Sequence, residues 1–266
     1  MVSGRAAGSV VALLMGFAVA MAGDAVAQRR VFSTPLEQPK LAKGERDLGL
    51  VEIDIKINAE GQLTALRPTA ESAADLVPAL EKAINGWRFL PARRDGEAVD
   101  WATRVSAQLK ATPVDGGFAL VVNRIGLNSV WLKRGETRKF APYPLASRRQ
   151  REEAWVLVLA TPHLEGGGAD VLTAVVDGKP ASKANPFLQA ASETVSAWPY
   201  EVLEWDGQRY AEQICAPMSF SLGRNNHHIR QWSGDKDAQQ EACRKMPGGV
   251  DFEPIKLAED VIGRRL

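Results

Sequence analysis

Branched aliphatic residues at every second position, Val51, Ile53, Ile55 and Ile57, alternate with Glu52, Asp54, Lys56 and Asn58. A period of two sends one set to each face of an extended chain, so this run is a half-buried β-strand with a core on one side only. A helix would spread the same residues round its circumference. The strand needs a partner: Ala59-Glu60-Gly61 turns the chain, and residues 62–68 read as a second strand, so the two form a hairpin. Ser72 and Asp75 then form a loose capping-box variant ahead of Leu76, Leu80, Ala83, Ile84 and Trp87, whose spacing predicts one amphipathic helix. Residues 86–92 end that helix and Asp95-Gly96 makes a tight turn. Val99, Trp101, Thr103, Val105, Ala107 and Leu109 restore the alternation.

The order strand, strand, helix, strand restricts the topology. A helical crossover returns the chain parallel to the strand it left, so the third strand pairs antiparallel only by lying beside the first. The expected sheet therefore has the order 2-1-3 with one helix packed on it, and residues 101–109 lie at its edge. The unpaired main-chain groups of Thr103, Arg104, Val105, Ser106, Ala107, Gln108 and Leu109 would then be available to take up another strand.

The second half echoes the first. Trp198 followed by Asp206-Gly207 repeats Trp87 followed by Asp95-Gly96, both landmarks at an offset of 111 residues. Residues 154–161 read as a buried strand before the turn Gly166-Gly167-Gly168, and 172–175 echo 63–66. Asn185 and Pro186 look like an N-cap and first helical residue, with Phe187, Ala191, Val195 and Trp198 on one face, and Ile214, Ala216, Met218, Phe220 and Leu222 alternate as a last strand. The expected fold class is α+β, with two strand-strand-helix-strand units, the second degenerate. They would occupy 28–110 and 143–223. A connecting segment, 111–142, contains the short apolar runs 118–125 and 129–133 as a candidate hairpin. A polar tail, 224–266, with a weakly amphipathic end at 255–262, is expected to pack over the second unit through Cys243.

At the amino end, Arg5 precedes an uncharged run, 6–23, whose apolar centre would be about 20 Å long as a helix, short for a bilayer span. Ala25-Val26-Ala27 before Gln28 has the small-x-small pattern of a secretory cleavage site, so residues 1–27 read as a signal peptide, with an uncleaved anchor as the competing reading. Export makes a disulfide the expected state of the two cysteines, Cys215 and Cys243. The 33 basic and 32 acidic side chains leave a net charge of +1, which gives no global attraction to nucleic acid.

The run from Val51 to Leu109, with its hairpin Ile57-x-Ala59-x-Gly61-x-Leu63, its helix, and Trp87-Arg88-Phe89-Leu90-Pro91-Ala92 followed by Gly96, resembles the C-terminal domain of TonB-type energy transducers. Tyr143-Pro144-x-Ala146 is similar to the opening of the same family, while the second helix exit, Trp198-Pro199-Tyr200, lacks the Pro-Ala. The resemblance implies a periplasmic domain that pairs its edge strand with an extended segment of an outer-membrane receptor. Such transducers usually keep a membrane helix and a Pro-rich spacer. With residues 1–27 read as a signal peptide, neither is expected here, and an exported binding module takes precedence over a membrane-anchored short transducer.

Chemistry-bearing residues are sparse. Trp87, Arg88, Phe89, Pro91, Ala92 and Gly96 read as mainly structural, and Arg93 and Arg94 beside Asp95 as a charged turn. Pro217 interrupts the last strand and makes it a poorer docking edge than the first unit's. The three histidines, His163, His227 and His228, do not have metal-ligand spacing. Ser233-x-x-Lys236 lacks the companion motifs of a serine hydrolase. The sequence therefore points to a non-catalytic protein with no metal or cofactor, whose partner is an extended peptide, an outer-membrane receptor segment or a second copy of a like domain.

Overall fold

The computed structural model describes residues 25–26, 30–31, 41–70, 72–136, 139–222, 242–243 and 245–266. The signal-peptide reading, apart from Ala25–Val26, lies outside these residues, as do His227, His228 and the Ser233-x-x-Lys236 pattern. β1 (Ala25–Val26) and β2 (Arg30–Val31) are followed by β3 (Arg46–Ile57), β4 (Leu63–Pro68) and helix α1 (Val77–Asn85). Three short strands, β5 (Phe89–Leu90), β6 (Ala92–Arg94) and β7 (Glu97–Val99), lead into the long β8 (Trp101–Val114), β9 (Gly117–Asn128) and β10 (Val130–Leu132). The second half begins with α2 (Leu145–Gln150), β11 (Ala154–Pro162), β12 (Ala169–Val176), β13 (Lys179–Pro180) and α3 (Pro186–Ser196). It continues through β14 (Tyr200–Trp205), β15 (Gln208–Ala211) and β16 (Ile214–Phe220) to β17 (Phe252–Glu253) and β18 (Lys256–Leu257). The fold is strand-rich α+β.

The first sheet is antiparallel with the order β4-β3-β8-β9. Ile53 stands opposite Val105 and Ile55 opposite Thr103. Val51, Ile53, Ile55 and Ile57 are all fully buried against a core that includes Leu80 and Ile84 of α1, and each such side chain stabilises the fold by roughly 1.5–3 kcal/mol. The opposite face carries a polar ladder: Arg104 donates to Asp54 at 2.6 Å, Ser106 to Glu52 at 2.9 Å, and Lys110 pairs with Glu45 at 2.7 Å. The expected capping box does not form. Ser72 Oγ instead accepts from the Glu52 amide at 2.9 Å and donates to the Glu52 carbonyl at 2.6 Å, and α1 begins at Val77 with no side-chain cap. Glu52 is inside β3 just past the reach of β4, and one hydroxyl there closes both of its main-chain groups.

The second sheet has the order β13-β12-β11-β16-β2, antiparallel except for a two-residue parallel pairing of β16 with β2. α3 covers one face, and the Asn185 side chain caps it by accepting from the amides of Phe187 and Leu188. β11 is buried on both faces, which explains its unbroken apolar run. Val156, Val158 and Ala160 face the α3 core, while Leu157 and Leu159 pack with Cys215, Cys243 and Met246. Cys215 and Cys243 form a disulfide with an S–S distance of 2.02 Å.

The halves interlock. The chain passes from β9 into β10 through Ser129, and β10 pairs with β14, so one bent strand belongs to two sheets. The hairpin β14–β15 carries Leu203, Trp205 and Tyr210 into the first core, where Tyr210 packs edge-on against Trp101 with ring centroids 5.2 Å apart. Ser129 is fully buried and has all its groups paired. Its Oγ accepts from Trp101 Nε1 at 3.0 Å and donates to the Ala102 carbonyl at 3.0 Å, its amide donates to Glu212 Oε1 at 3.0 Å, and its carbonyl accepts from the Leu203 amide at 2.8 Å.

The tail departs from expectation. Cys243 ties it to the second sheet, but residues 252–266 run back over the first. β17 pairs with β6, β18 with β5, and Val121 bridges to Arg265. The stretch 255–262 forms no helix; Ile255 and Val261 are buried in the first core and Ile262 is exposed. Replacing Ser129→Ala removes one donor and one acceptor at a dry junction and is expected to lower the unfolding free energy by about 1–3 kcal/mol. Urea denaturation measures this, and a midpoint equal to wild type would mean that the junction carries no weight.

Candidate interaction site

The expected binding edge is not an edge. From Arg104 to Leu109, β8 is flanked by β3 on one side and β9 on the other: Val105 faces both Ile53 and Leu127, and Leu109 faces both Gly49 and Val122. Thr103 pairs with Ile55, and beside it Ser129 has already taken the Ala102 carbonyl. An internal strand has no spare ladder groups, so a partner strand cannot dock on Thr103–Leu109. The cause is local. β8 runs past residue 109 to Val114, and Asp115-Gly116, with Gly116 at φ +84°, folds the chain straight back so that Val114 stands opposite Gly117. Asp-Gly between two alternating stretches is a hairpin signal. It sits inside the expected connecting segment, 111–142, of which Gly117–Asn128 form the fourth strand of the sheet.

Side chains on this strand are also engaged. Arg104 lies between Asp54, which is 5% exposed, and the ring of Trp131, its guanidinium carbon 3.9 Å from the ring centroid. Arg67 joins Asp54 from the other side at 3.8 Å and stacks on Trp205, while Trp131 Nε1 donates to Glu201 at 2.7 Å. Gln108 bonds Asp47, and Arg134 pairs with Glu52. These contacts fasten β8 to its neighbours.

The Trp-Arg-Phe-Leu-Pro-Ala motif serves the protein's own tail. Phe89 and Ala92 are buried and Trp87 packs at the border of the core. Phe89–Leu90 pair with β18, Arg93 and Arg94 pair with β17, and Arg88 lies 3.9 Å from Glu259 of the tail. Arg93 donates to the Gly96 carbonyl at 2.8 Å within the turn, where Gly96 adopts φ +83°. Arg94 stacks over Trp101 at 5.9 Å, and its Nε and Nη2 are buried without a hydrogen-bond partner. Pro217 stands opposite Leu157 on β16, beyond the two residues that β2 covers, where a missing amide is tolerated. His163 Nε2 meets Asp170 at 3.2 Å, an exposed pair.

Among the described residues, the outer strands of the first sheet are β4 and β9. β4 has no strand on its far side among the described residues. β9 is covered only in part. The Val122 amide donates to the Arg264 carbonyl at 3.1 Å, and the amides of Gly263 and Leu266 donate to the carbonyls of Val122 and Leu120 at 2.8 and 3.0 Å. Directly beyond, Asn123 is the extra residue of a bulge between Val122 and Arg124, and its side-chain Nδ2 is buried without a hydrogen-bond partner. Nothing in the polar, irregular tail sequence announced these pairings, because three strands of two to four residues carry no periodic signal.

Among the described residues no group of three or more metal-ligating side chains converges, and no helix is long and apolar enough to cross a membrane. No family model matches the chain, and neither a curated protein nor a solved structure is similar enough to count as a match.

At the start of β3, the Lys110 ammonium hydrogen-bonded to Glu45 holds that carboxyl below its ordinary range, helped by the Ala42 amide and opposed by desolvation. A lowered folded-state value stabilises the protein above the ordinary carboxylate range, and the benefit disappears as the pH falls through the lowered value. Stability should therefore decline in acid below about pH 4. Replacing Lys110→Met should make that decline shallower in urea titrations at a series of pH values, and an unchanged slope would contradict the assignment.

Proposed function

We propose that this chain is an exported, non-catalytic binding protein of two related α+β units, the first resembling the C-terminal domain of TonB-type transducers, which takes up an extended segment of another protein by strand addition. The observation that carries the reading is the chain's treatment of its own tail. Residues 252–253, 256–257 and 263–266 each join a strand of the first half through main-chain pairing. A surface that holds one extended segment this way has the chemistry to hold another. The disulfide fits an oxidising compartment outside the cytoplasm.

Kinship of the two halves is supported by geometry that repeats at the offset read from the sequence. Asp95-Gly96 and Asp206-Gly207 adopt the same left-handed pair of conformations, φ +51° and +83° against +51° and +78°. Arg94 pairs with Glu97 in one hairpin and Trp205 with Gln208 in the other. Trp87 and Trp198 donate to the carbonyls of Ile84 and Val195. Each half also has a left-handed glycine in its first hairpin turn, Gly61 or Gly166, where a Cβ would meet the carbonyl oxygen of the aromatic residue after the Trp, Phe89 at 2.6 Å or Tyr200 at 3.0 Å. The strand order β4-β3-β8 matches β12-β11-β16, with a helix on each.

Capture of partners on the immobilised, disulfide-intact chain, followed by peptide mapping of each identified partner, tests the reading. Binding should map to a stretch that is extended and unstructured in the free partner, and a proline in that stretch should abolish it. Recognition only of folded domains, indifferent to such prolines, would overturn it.

A further inference from the structure

The net charge of +1 conceals a local imbalance. From Lys139 to Arg151 every charged residue is basic: Lys139, Arg148, Arg149 and Arg151. All four are exposed, and none of them forms an ion pair among the described residues. The two most exposed large apolar side chains of the described residues lie in the same stretch, Phe140 at 73% and Leu145 at 71%. We propose that this stretch is a membrane-docking surface, which seats the protein on an anionic phospholipid bilayer by sinking Phe140 and Leu145 below the headgroups while the basic side chains meet the phosphates. The surface is separate from the strand addition proposed above and stands whether or not the chain takes up an extended segment.

The fold holds both apolar side chains outward. Ala141 and Tyr143 pack against the second core, Tyr143 edge-on to Phe187 and Phe220, and the Lys139 carbonyl accepts from Trp198 Nε1 at 2.9 Å. Phe140 stands between these anchors and is itself left in water. α2 places Leu145, Arg148 and Arg149 three and four residues apart, hence on one side of the helix, with the buried Ser147 on the other. Arginine stems of that length reach past an inserted leucine to the headgroup phosphates. Two acids follow. The Glu153 carboxylate accepts from Ser221 Oγ and the Leu222 amide at the end of β16, and Glu152 is exposed, so the stretch keeps a basic surplus. A bilayer interface offers hydrocarbon beneath a negative layer, and a basic surface with protruding apolar side chains answers both. An acidic protein would answer the charges and leave Phe140 and Leu145 in water.

The uncharged run 6–23 brings its own affinity for lipid, so the readout is placed on the patch itself. A polarity-sensitive fluorophore is attached to the full chain through Phe140→Cys, with Cys215 and Cys243 still bridged. Its emission should shift to the blue with vesicles of equimolar phosphatidylglycerol and phosphatidylcholine and stay unchanged with phosphatidylcholine alone. Combining Arg148→Glu with Arg149→Glu, or introducing Leu145→Ser, should raise the lipid concentration at half-response at least about tenfold. High salt should weaken the response of the unreversed chain, which tests the charges even if the double reversal fails to fold. No shift with the anionic vesicles, an equal shift with both vesicle types, or a shift indifferent to both charge reversal and salt would overturn the proposal. Capture of an acidic protein through the same arginines, with no response to vesicles, would overturn it in favour of a protein partner.

Discussion

One buried serine lets two sheets share a strand. A strand that leaves one sheet for another must break its ladder at the bend, and the main-chain groups there need new partners away from water. Ser129 meets that need from both halves of the chain at once: Trp101 and Ala102 from the first, Leu203 and Glu212 from the second. The bend also carries β10 alongside β14, so that the β14–β15 hairpin closes the core over Trp101. Trp101, Tyr210 and Phe252 come from three distant parts of the sequence and fill one space. The halves are therefore not beads on a string, and the first core is incomplete without pieces of the second half and of the tail.

That interdependence goes with a first sheet in which residues 103–109 are internal. In a sheet of three strands the last one is exposed by construction. Here a turn of two residues adds a fourth strand, and the tail is spent on covering the short strands after α1 and the start of β9. Main-chain groups left open on a sheet margin invite uncontrolled pairing, and filling them with the protein's own chain is a common protection.

Much of the fold was legible wherever one residue class repeats with one period. The alternation of Val51 to Ile57 and of Trp101 to Leu109, the spacing of Leu80 and Ile84, and the cap at Asn185 all state their environment locally, and the 2-1-3 order followed from connection rules. The cysteine pairing followed from an even count together with the expected export. What the sequence did not disclose depends on distant partners. Ser129 looks like any loop serine until Trp101 and Glu212 are brought beside it. The tail strands are too short for a pattern, and Phe252, Ile255 and Val261 read as scattered apolar residues although they are core. The error over residues 103–109 was of a different kind. Asp115-Gly116 was readable, but residues 111–142 were set apart as a connecting segment, so the strand order stopped at three.

Amide hydrogen exchange along residues 103–109 tests the central claim, that this strand is paired on both sides. Every amide from Arg104 to Leu109 should be protected to a similar degree, because each points into a ladder with β3 or with β9. Alternate amides exchanging at rates close to those of an open chain, with their neighbours protected, would show one free side and contradict the account.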